Sequence, residues 1–191
     1  MTQDARTRIL DACERTIAES GLRGFRMSTV AREAGVSIGL LAYHFGDRDG
    51  LLQAALDRVN EGTTSRAARA IARRAGATPL AELEALLCSE FGDDAHVRAG
   101  SIVWNELRAA AVFTPGQARA LSHSTSAWQL AVEQLAAQIV PPQDAAVTAL
   151  LLTSLVEGLS GRWLTGQLST DQATDAVSAA LVKLTSVTAD N

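Results

Sequence analysis

The chain has 191 residues, 47% of them hydrophobic, so it is long and apolar enough to bury a core, which excludes a disordered protein. Only 4% of the residues are aromatic and four are prolines, a composition that favours helices over strands. The net charge is −4, but residues 1–60 hold eight arginines and eight acidic residues; this neutral balance excludes a strong non-specific nucleic-acid binder, so any DNA recognition has to rest on shape and base contacts.

The first two predicted helices both end at glycines. Apolar residues recur at helical spacing from Ile9 to Ile17, which predicts a helix over about 5–20 with Gly21 as its stop. The next apolar pattern predicts a short second helix that ends at Gly35.

A third helix follows the second almost at once. It begins near Ser37, and its residues Leu41 and Phe45 are spaced i, i+4 and therefore face inward together. The pair Gly46-Asp47 ends this helix and caps a fourth. Two short helices joined by a glycine turn form a helix-turn-helix pattern, which presents the later helix to the major groove of DNA.

Beyond residue 60, capping residues mark the helix starts. Thr78-Pro79 is an N-cap followed by a first-turn proline, and the segments 114–117 and 169–172 have the spacing of capping boxes. We therefore predict an all-α protein. Its later helices are predicted near 47–74, 79–92, 95–112, 117–139, 143–165 and 171–187.

The sequence also bears on location and on metals. The first residues, Met1 to Arg6, lack the apolar stretch of a signal peptide, and no apolar run reaches the roughly 18 residues that span a bilayer, so we expect a cytoplasmic protein without a membrane partner. Cys13 and Cys88 lie far apart in helical patterns and are predicted to be reduced thiols. We predict no metal site, no cofactor and no catalytic residue.

The segment from Val30 to Leu52 reads VAREAGVSIGLLAYHFGDRDGLL and resembles the signature of the TetR (tetracycline-repressor) family, with the resemblance extending over about residues 6–56. It implies a three-helix DNA-binding head at 1–46 and a larger helical effector-binding and dimerisation body at 47–191. It also implies a homodimeric repressor that a small molecule of unknown identity releases from a palindromic operator. More weakly, the span from Leu155 to Leu164, together with the capped helix that follows at Ser169, resembles the C-terminal domains of the betaine-regulator-like subgroup.

The candidate DNA-binding residues cluster around the third helix. Ile38 and Leu40 stand where the family commonly has polar residues; apolar side chains there can contact a thymine methyl group but cannot make bidentate hydrogen bonds. Arg26 stands where the family often has a capping threonine, so Ser28 or solvent would have to cap the second helix, or Arg26 would instead contact phosphate. The predicted DNA-binding residues are Arg26, Ser28, Ser37, Ile38, Gly39, Leu40, Tyr43, His44 and Arg48.

The last two helices carry apolar stripes suited to a dimer interface, although ordinary intrachain core remains an alternative. The predicted interface residues are Leu151, Leu155, Gly158, Leu159, Val177, Leu181 and Leu184.

The scarce aromatic residues concentrate in the middle helices, where the family keeps its effector cavity, and core packing is again the alternative. Asn105, Glu106 and His123 are possible polar partners of such a cavity. The predicted pocket residues are Phe91, Trp104, Leu107, Phe113, Leu121 and Trp128.

Two other function classes stay open. An enzyme is the first, but the three histidines have no carboxylate partners at metal-binding or acid–base spacing, and no phosphate-binding loop or nucleophile motif is present. A helical ligand-binding or interaction protein without DNA-binding activity is the second, and it is favoured only by the apolar Ile38 and Leu40.

Overall fold

The structure is a computed structural model that describes residues 4–72 and 78–187. These residues form helices and no strands, which confirms the all-α prediction. The helices are α1 (Ala5–Gly24), α2 (Met27–Ala34), α3 (Ile38–Phe45), α4 (Arg48–Ala72), α5 (Pro79–Cys88), α6 (Ala95–Ala111), α7 (Pro115–Ala136), α8 (Pro142–Leu164) and α9 (Thr170–Val187).

The predicted stop at Gly21 is a break inside α1. Gly21 has φ +62° and ψ 177°, a conformation that glycine tolerates and residues with a Cβ do not. Directly after it, the backbone N–H of Leu22 donates to Glu106 Oε2 of α6 at 2.7 Å. A Cβ at position 21 would lie 2.8 Å from that same oxygen, so the backbone conformation requires glycine here and a larger residue would also displace the Glu106 carboxylate.

Local capping signals define the helix-turn-helix. Gly35 ends α2 in the left-handed conformation, and Ser37 Oγ accepts a hydrogen bond from the Leu40 N–H at 3.1 Å at the start of α3. Asp47 Oδ1 accepts from the Gly50 N–H at 2.9 Å and so caps α4 as predicted.

The two predicted capping boxes differ in outcome. At the start of α9, Ser169 and Gln172 satisfy each other's backbone N–H groups at 2.9 and 3.1 Å, as expected. At the start of α7 the prediction was wrong, because the Gln117 side chain is buried and its Oε1 has no hydrogen-bond partner among the described residues. Gln117 therefore does not return to the Thr114 amide.

The chain divides into two compact units. The first unit runs to Val59 and also includes Arg98–Ser124; the second unit consists of Asn60–Val97 and the chain from Thr125 onward. This division differs from the predicted boundary at 46/47. The reason is packing: Leu51 and Leu56 of α4 and Val103 of α6 are fully buried in the same core as α1 to α3.

Helix α8 is long and apolar enough to cross a membrane by length and composition alone, with a mean hydropathy of 1.2. However, 44% of its apolar 18-residue stretch is buried inside the protein, and Leu152, Val156 and Trp163 belong to the core of the second unit. Core packing thus accounts for one side of α8.

Candidate nucleic-acid interface

Helix α3 is held in place by one fully buried side chain. Leu41 is 0% exposed and packs in the core formed with Val30, Ala31 and Ala34 of α2. Phe45, one turn later, is partly buried against the same core. The i, i+4 spacing read from the sequence therefore does fix which side of α3 faces inward.

The opposite side of α3 is exposed. Ile38 is 52%, Leu40 37% and Tyr43 83% exposed, and Ser37 and Gly39 are exposed beside them. We call these five residues the reading edge. They are five of the nine residues predicted to contact DNA: Gly39, Leu40 and Tyr43 lie on the outward side of α3, and Ser37 and Ile38 lie at its exposed N-terminus.

Arginines flank the reading edge and rest on aromatic rings. The Arg48 Cζ lies 5.5 Å from the centroid of the Phe25 ring, and the Arg6 Cζ lies 5.6 Å from the centroid of Phe45. A guanidinium over a ring face is attracted to it, which holds Arg6 against the last residue of α3 and Arg48 against Phe25, just before α2. His44, between Tyr43 and Phe45, is partly buried and meets the Tyr43 ring edge-on at 5.5 Å.

Arg6 was not among the predicted DNA-binding residues. The sequence places it only on an outer face of the first helix, and its pairing with Phe45 joins residues far apart in the chain. No local sequence pattern indicates that contact.

The start of α2 has no side-chain cap, so the alternative in which Ser28 replaces the family's threonine is wrong. Arg26 occupies the N-cap position, and its Nη1 donates to the backbone oxygens of Phe25 at 3.0 Å and Arg23 at 3.3 Å. Its side chain is exposed next to Phe25, the residue under Arg48.

An ion-pair network ties α4 to α1. Arg58 Nη2 lies 2.7 Å from Asp11 Oδ1, and Arg58 Nε lies 2.7 Å from Glu14 Oε1. Burial alone lowers the pKa of Arg58, but hydrogen bonds and attraction from the two carboxylates raise it above its ordinary value. In the adjacent core, Cys13 is a buried free thiol at a position that the sequence marks as apolar, and burial raises its pKa to about 12.

The six predicted pocket residues are divided between the two units. Trp104 and Leu107 are buried in the core of the first unit, and Leu121 packs against it. Phe113 is 86% exposed. Phe91 and Trp128 belong to the core of the second unit.

The division arises because the end of α6 and the start of α7 belong to the same unit as the helix-turn-helix. Glu106, predicted as a polar partner of the pocket, is engaged within the first unit, where its carboxylate accepts the Leu22 N–H.

The second unit does contain a cavity of about 340 Å³ between α4 and α7. Trp128, from the predicted set, forms part of its wall, while the polar lining residues had no signal in the sequence. Trp128 Nε1 is buried without a hydrogen-bond partner in the described part of the chain. The lining residues are Asn60, Glu61, Thr64, Ser65, Ala127, Trp128 and Ala131.

The seven predicted dimer residues separate into two groups. Leu159, Val177 and Leu181 are at most 9% exposed in the core of their own unit, so intrachain packing accounts for them. Leu151 is 49% exposed, and Gly158 is exposed with nothing within 4 Å of a Cβ built on it. Leu155 and Leu184 are partly buried.

The exposed face of α8 is also more apolar than the sequence analysis proposed. Val147 is 53% and Leu150 51% exposed, beside Leu151, and Val182 of α9 is 57% exposed.

No group of three or more His, Cys, Asp or Glu residues able to hold a metal occurs within 4–72 or 78–187.

Comparison with known proteins agrees with these features. Residues 9–55 match the model of bacterial regulatory proteins of the tetR family, and residues 79–186 match that of the BetI-type transcriptional repressor C-terminal region. The HTH-type transcriptional regulator BetI of Burkholderia thailandensis is 31% identical, over 88% of this chain and 85% of that protein.

Two solved structures have a similar fold. One, from Rhodococcus sp., is described as a TetR-family transcriptional regulator; it has a TM-score of 0.89 and 37% identity, and the match covers 95% of this chain and 98% of that one. The other, a transcriptional regulator from Saccharomonospora viridis in complex with choline, has a TM-score of 0.72 and 23% identity, with 94% of each chain covered.

Proposed function

Because this chain belongs to the TetR family of bacterial regulatory proteins and is a DNA-binding transcriptional regulator, we propose that it is a repressor released from its operator by a small molecule. It would bind a palindromic operator as a homodimer, in the cytoplasm. The observation that carries the proposal is the reading edge: the exposed N-terminus and outward side of α3, a helix anchored by the fully buried Leu41.

Each part of the interface is assigned a role. The reading edge enters the major groove, where the first residues of a recognition helix approach base edges. Tyr43, His44 and Arg48, which were predicted from the sequence, bind phosphate oxygens and fix the orientation of α3. Arg6 and Arg26 add cations on the flanks of the same surface. Phosphate contacts position the protein, and the reading edge specifies the sequence.

The dimer is proposed to form through the exposed face of α8. A second copy is the occupant because Val147, Leu150 and Leu151 form a continuous apolar surface, Val182 extends the exposed apolar area on α9, and Gly158 permits close helix approach. A two-fold axis would present two reading edges to two half-sites of a palindrome.

Replacing Leu151 by Glu is expected to convert the dimer into monomers at about 10 μM protein, because an unpaired carboxylate would be buried at the contact. The matched control is Leu130→Glu on α7, where the native leucine is equally exposed at 53%. Sedimentation velocity measures both variants. If the Leu151→Glu protein stays dimeric, α8 is not the interface.

The effector is proposed to bind in the cavity of the second unit. Trp128 supplies an aromatic wall and Glu61 a carboxylate, a combination that suits a small organic cation. The choline complex of the structurally similar Saccharomonospora viridis regulator agrees with this chemistry. Binding there would favour a conformation of lower DNA affinity by the same coupling free energy that the DNA exerts on the effector.

Choline chloride is the probe for this proposal. On an operator selected from random duplex DNA, millimolar choline should release the wild-type protein in a mobility-shift assay. Glu61→Gln should require about 10-fold more choline, since one ionic contact is lost. Asp175→Asn, an exposed acid on α9 outside the cavity, should behave as wild type. Should choline have no effect on a protein that binds its operator, the cation proposal is wrong while the DNA-binding function stands.

A further inference from the structure

The reading edge lacks the side chains that most often read bases. Between Ile38 and Phe45, helix α3 has no Arg, Lys, Asn, Gln, Asp or Glu. Those residues make the bidentate or paired hydrogen bonds that distinguish guanine, adenine and cytosine in the major groove. The exposed side chains of α3 are instead apolar ones, together with the single hydroxyl group of Tyr43; the imidazole of His44 is partly buried and packs edge-on against the Tyr43 ring.

The remaining hydroxyl group, on Ser37, is already engaged. Its Oγ accepts the Leu40 backbone N–H at 3.1 Å and caps α3. Only its O–H is left to donate, and one donor cannot identify a base pair, since acceptors occur on guanine, adenine and thymine in the major groove. Gly39 contributes no side chain. Hydrogen bonding by this helix therefore carries little sequence information.

The apolar residues of α3 lie in the part of a recognition helix that contacts base edges. Ile38 and Leu40 occupy the first turn of α3 and are 52% and 37% exposed, although large aliphatic side chains are favoured inside proteins. The first turn of a recognition helix is the part that meets base edges. One apolar group is presented by unmodified base pairs in the major groove, and it is the C5-methyl group of thymine.

We propose that Ile38 and Leu40 are the specificity-determining residues, and that each operator half-site is recognised mainly through thymine methyl groups in contact with these two side chains. The inference rests on the proposed function, in that α3 must enter the major groove. It explains the apolar positions 38 and 40 without requiring that DNA binding has been lost.

The test replaces thymine by deoxyuridine, which removes the methyl group and keeps base pairing. An operator is first selected from random duplex DNA with the full-length wild-type protein. Each thymine of the selected half-site is then replaced singly, and the Kd is measured at fixed salt. Removing one buried methyl should raise the Kd about 4-fold, and the symmetric change in both half-sites about 16-fold.

Alanine variants connect the methyl groups to the two residues. Ile38→Ala and Leu40→Ala should bind more weakly and should each lose the thymine preference at its own position, so that thymine and uracil operators bind alike there. Tyr43→Ala is the control: it should weaken binding to both operators and keep the ratio between them. Because positions 38 and 40 are exposed, circular dichroism should show both alanine variants folded as wild type.

Two results would overturn the inference, and they differ in what else they affect. If the selected operator binds tightly but no uracil replacement changes the Kd, methyl reading is wrong and the DNA-binding function stands. If the selection enriches no sequence at all, the proposed operator-binding function fails together with the inference.

Discussion

Replacing Tyr43 and Arg48 together by alanine is expected to weaken operator binding by at least about 100-fold, because each residue gives up a hydrogen bond to a charged phosphate worth roughly 1.5–3 kcal/mol. Tyr43 is 83% exposed and Arg48 lies over the Phe25 ring at the surface, so the double variant should fold normally. Mobility shifts across a range of salt concentrations provide the measurement.

The salt dependence identifies the phosphate contact. Loss of Arg48 from both copies of a dimer should reduce the slope of log K against log salt by about 1.8, since each neutralised phosphate contributes about 0.9. The control is Arg15→Ala, which removes the same charge from an exposed position on α1 near Glu33. That variant should change neither the slope nor the affinity appreciably. An unchanged slope in the double variant would mean that these residues do not contact phosphate.

The adjacent residues Leu40 and Leu41 should differ strongly in how much their truncation destabilises the first unit. Leu41→Ala removes a side chain that is 0% exposed and should reduce the free energy of unfolding of the first unit by about 2–5 kcal/mol. Leu40→Ala removes a side chain that is 37% exposed and should reduce it by less than about 1 kcal/mol.

Hydrogen exchange at the α3 amides, measured without DNA, compares these two variants at the helix itself. Protection should fall strongly in Leu41→Ala and stay near wild type in Leu40→Ala. Operator binding should nevertheless weaken in both, through loss of structure in the first and loss of a DNA contact in the second. Equal losses of protection would show that α3 is not anchored by Leu41, and the assignment of its two sides would be wrong.

The helix-turn-helix could be predicted from sequence because its determinants are local. Gly35 ends α2, Ser37 and Asp47 cap the next two helices, and Leu41 has a partner one turn away at Phe45. Each signal acts over at most a few residues, so reading the chain in order is sufficient to find it.

The placement of the middle helices could not be predicted in this way. The sequence pattern around a buried tryptophan does not indicate which core the side chain belongs to. Trp104 and Trp128 belong to different cores. The contact of Glu106 with the Leu22 amide and that of Arg6 with Phe45 depend on tertiary packing between distant segments. Likewise, periodicity marks Val177 and Leu151 alike as apolar, but only the structure distinguishes the buried residue from the exposed one.

A hydroxyl-radical footprint of the wild-type protein on its selected operator tests most directly whether the exposed edge of α3, presented twice by a dimer, lies in the grooves of DNA. Two protected stretches should appear on one face of the duplex, with their centres about 34–36 Å apart, one helical turn. They should disappear with the Tyr43 and Arg48 double variant. A single protected stretch, or a footprint that the double variant leaves intact, would contradict the account.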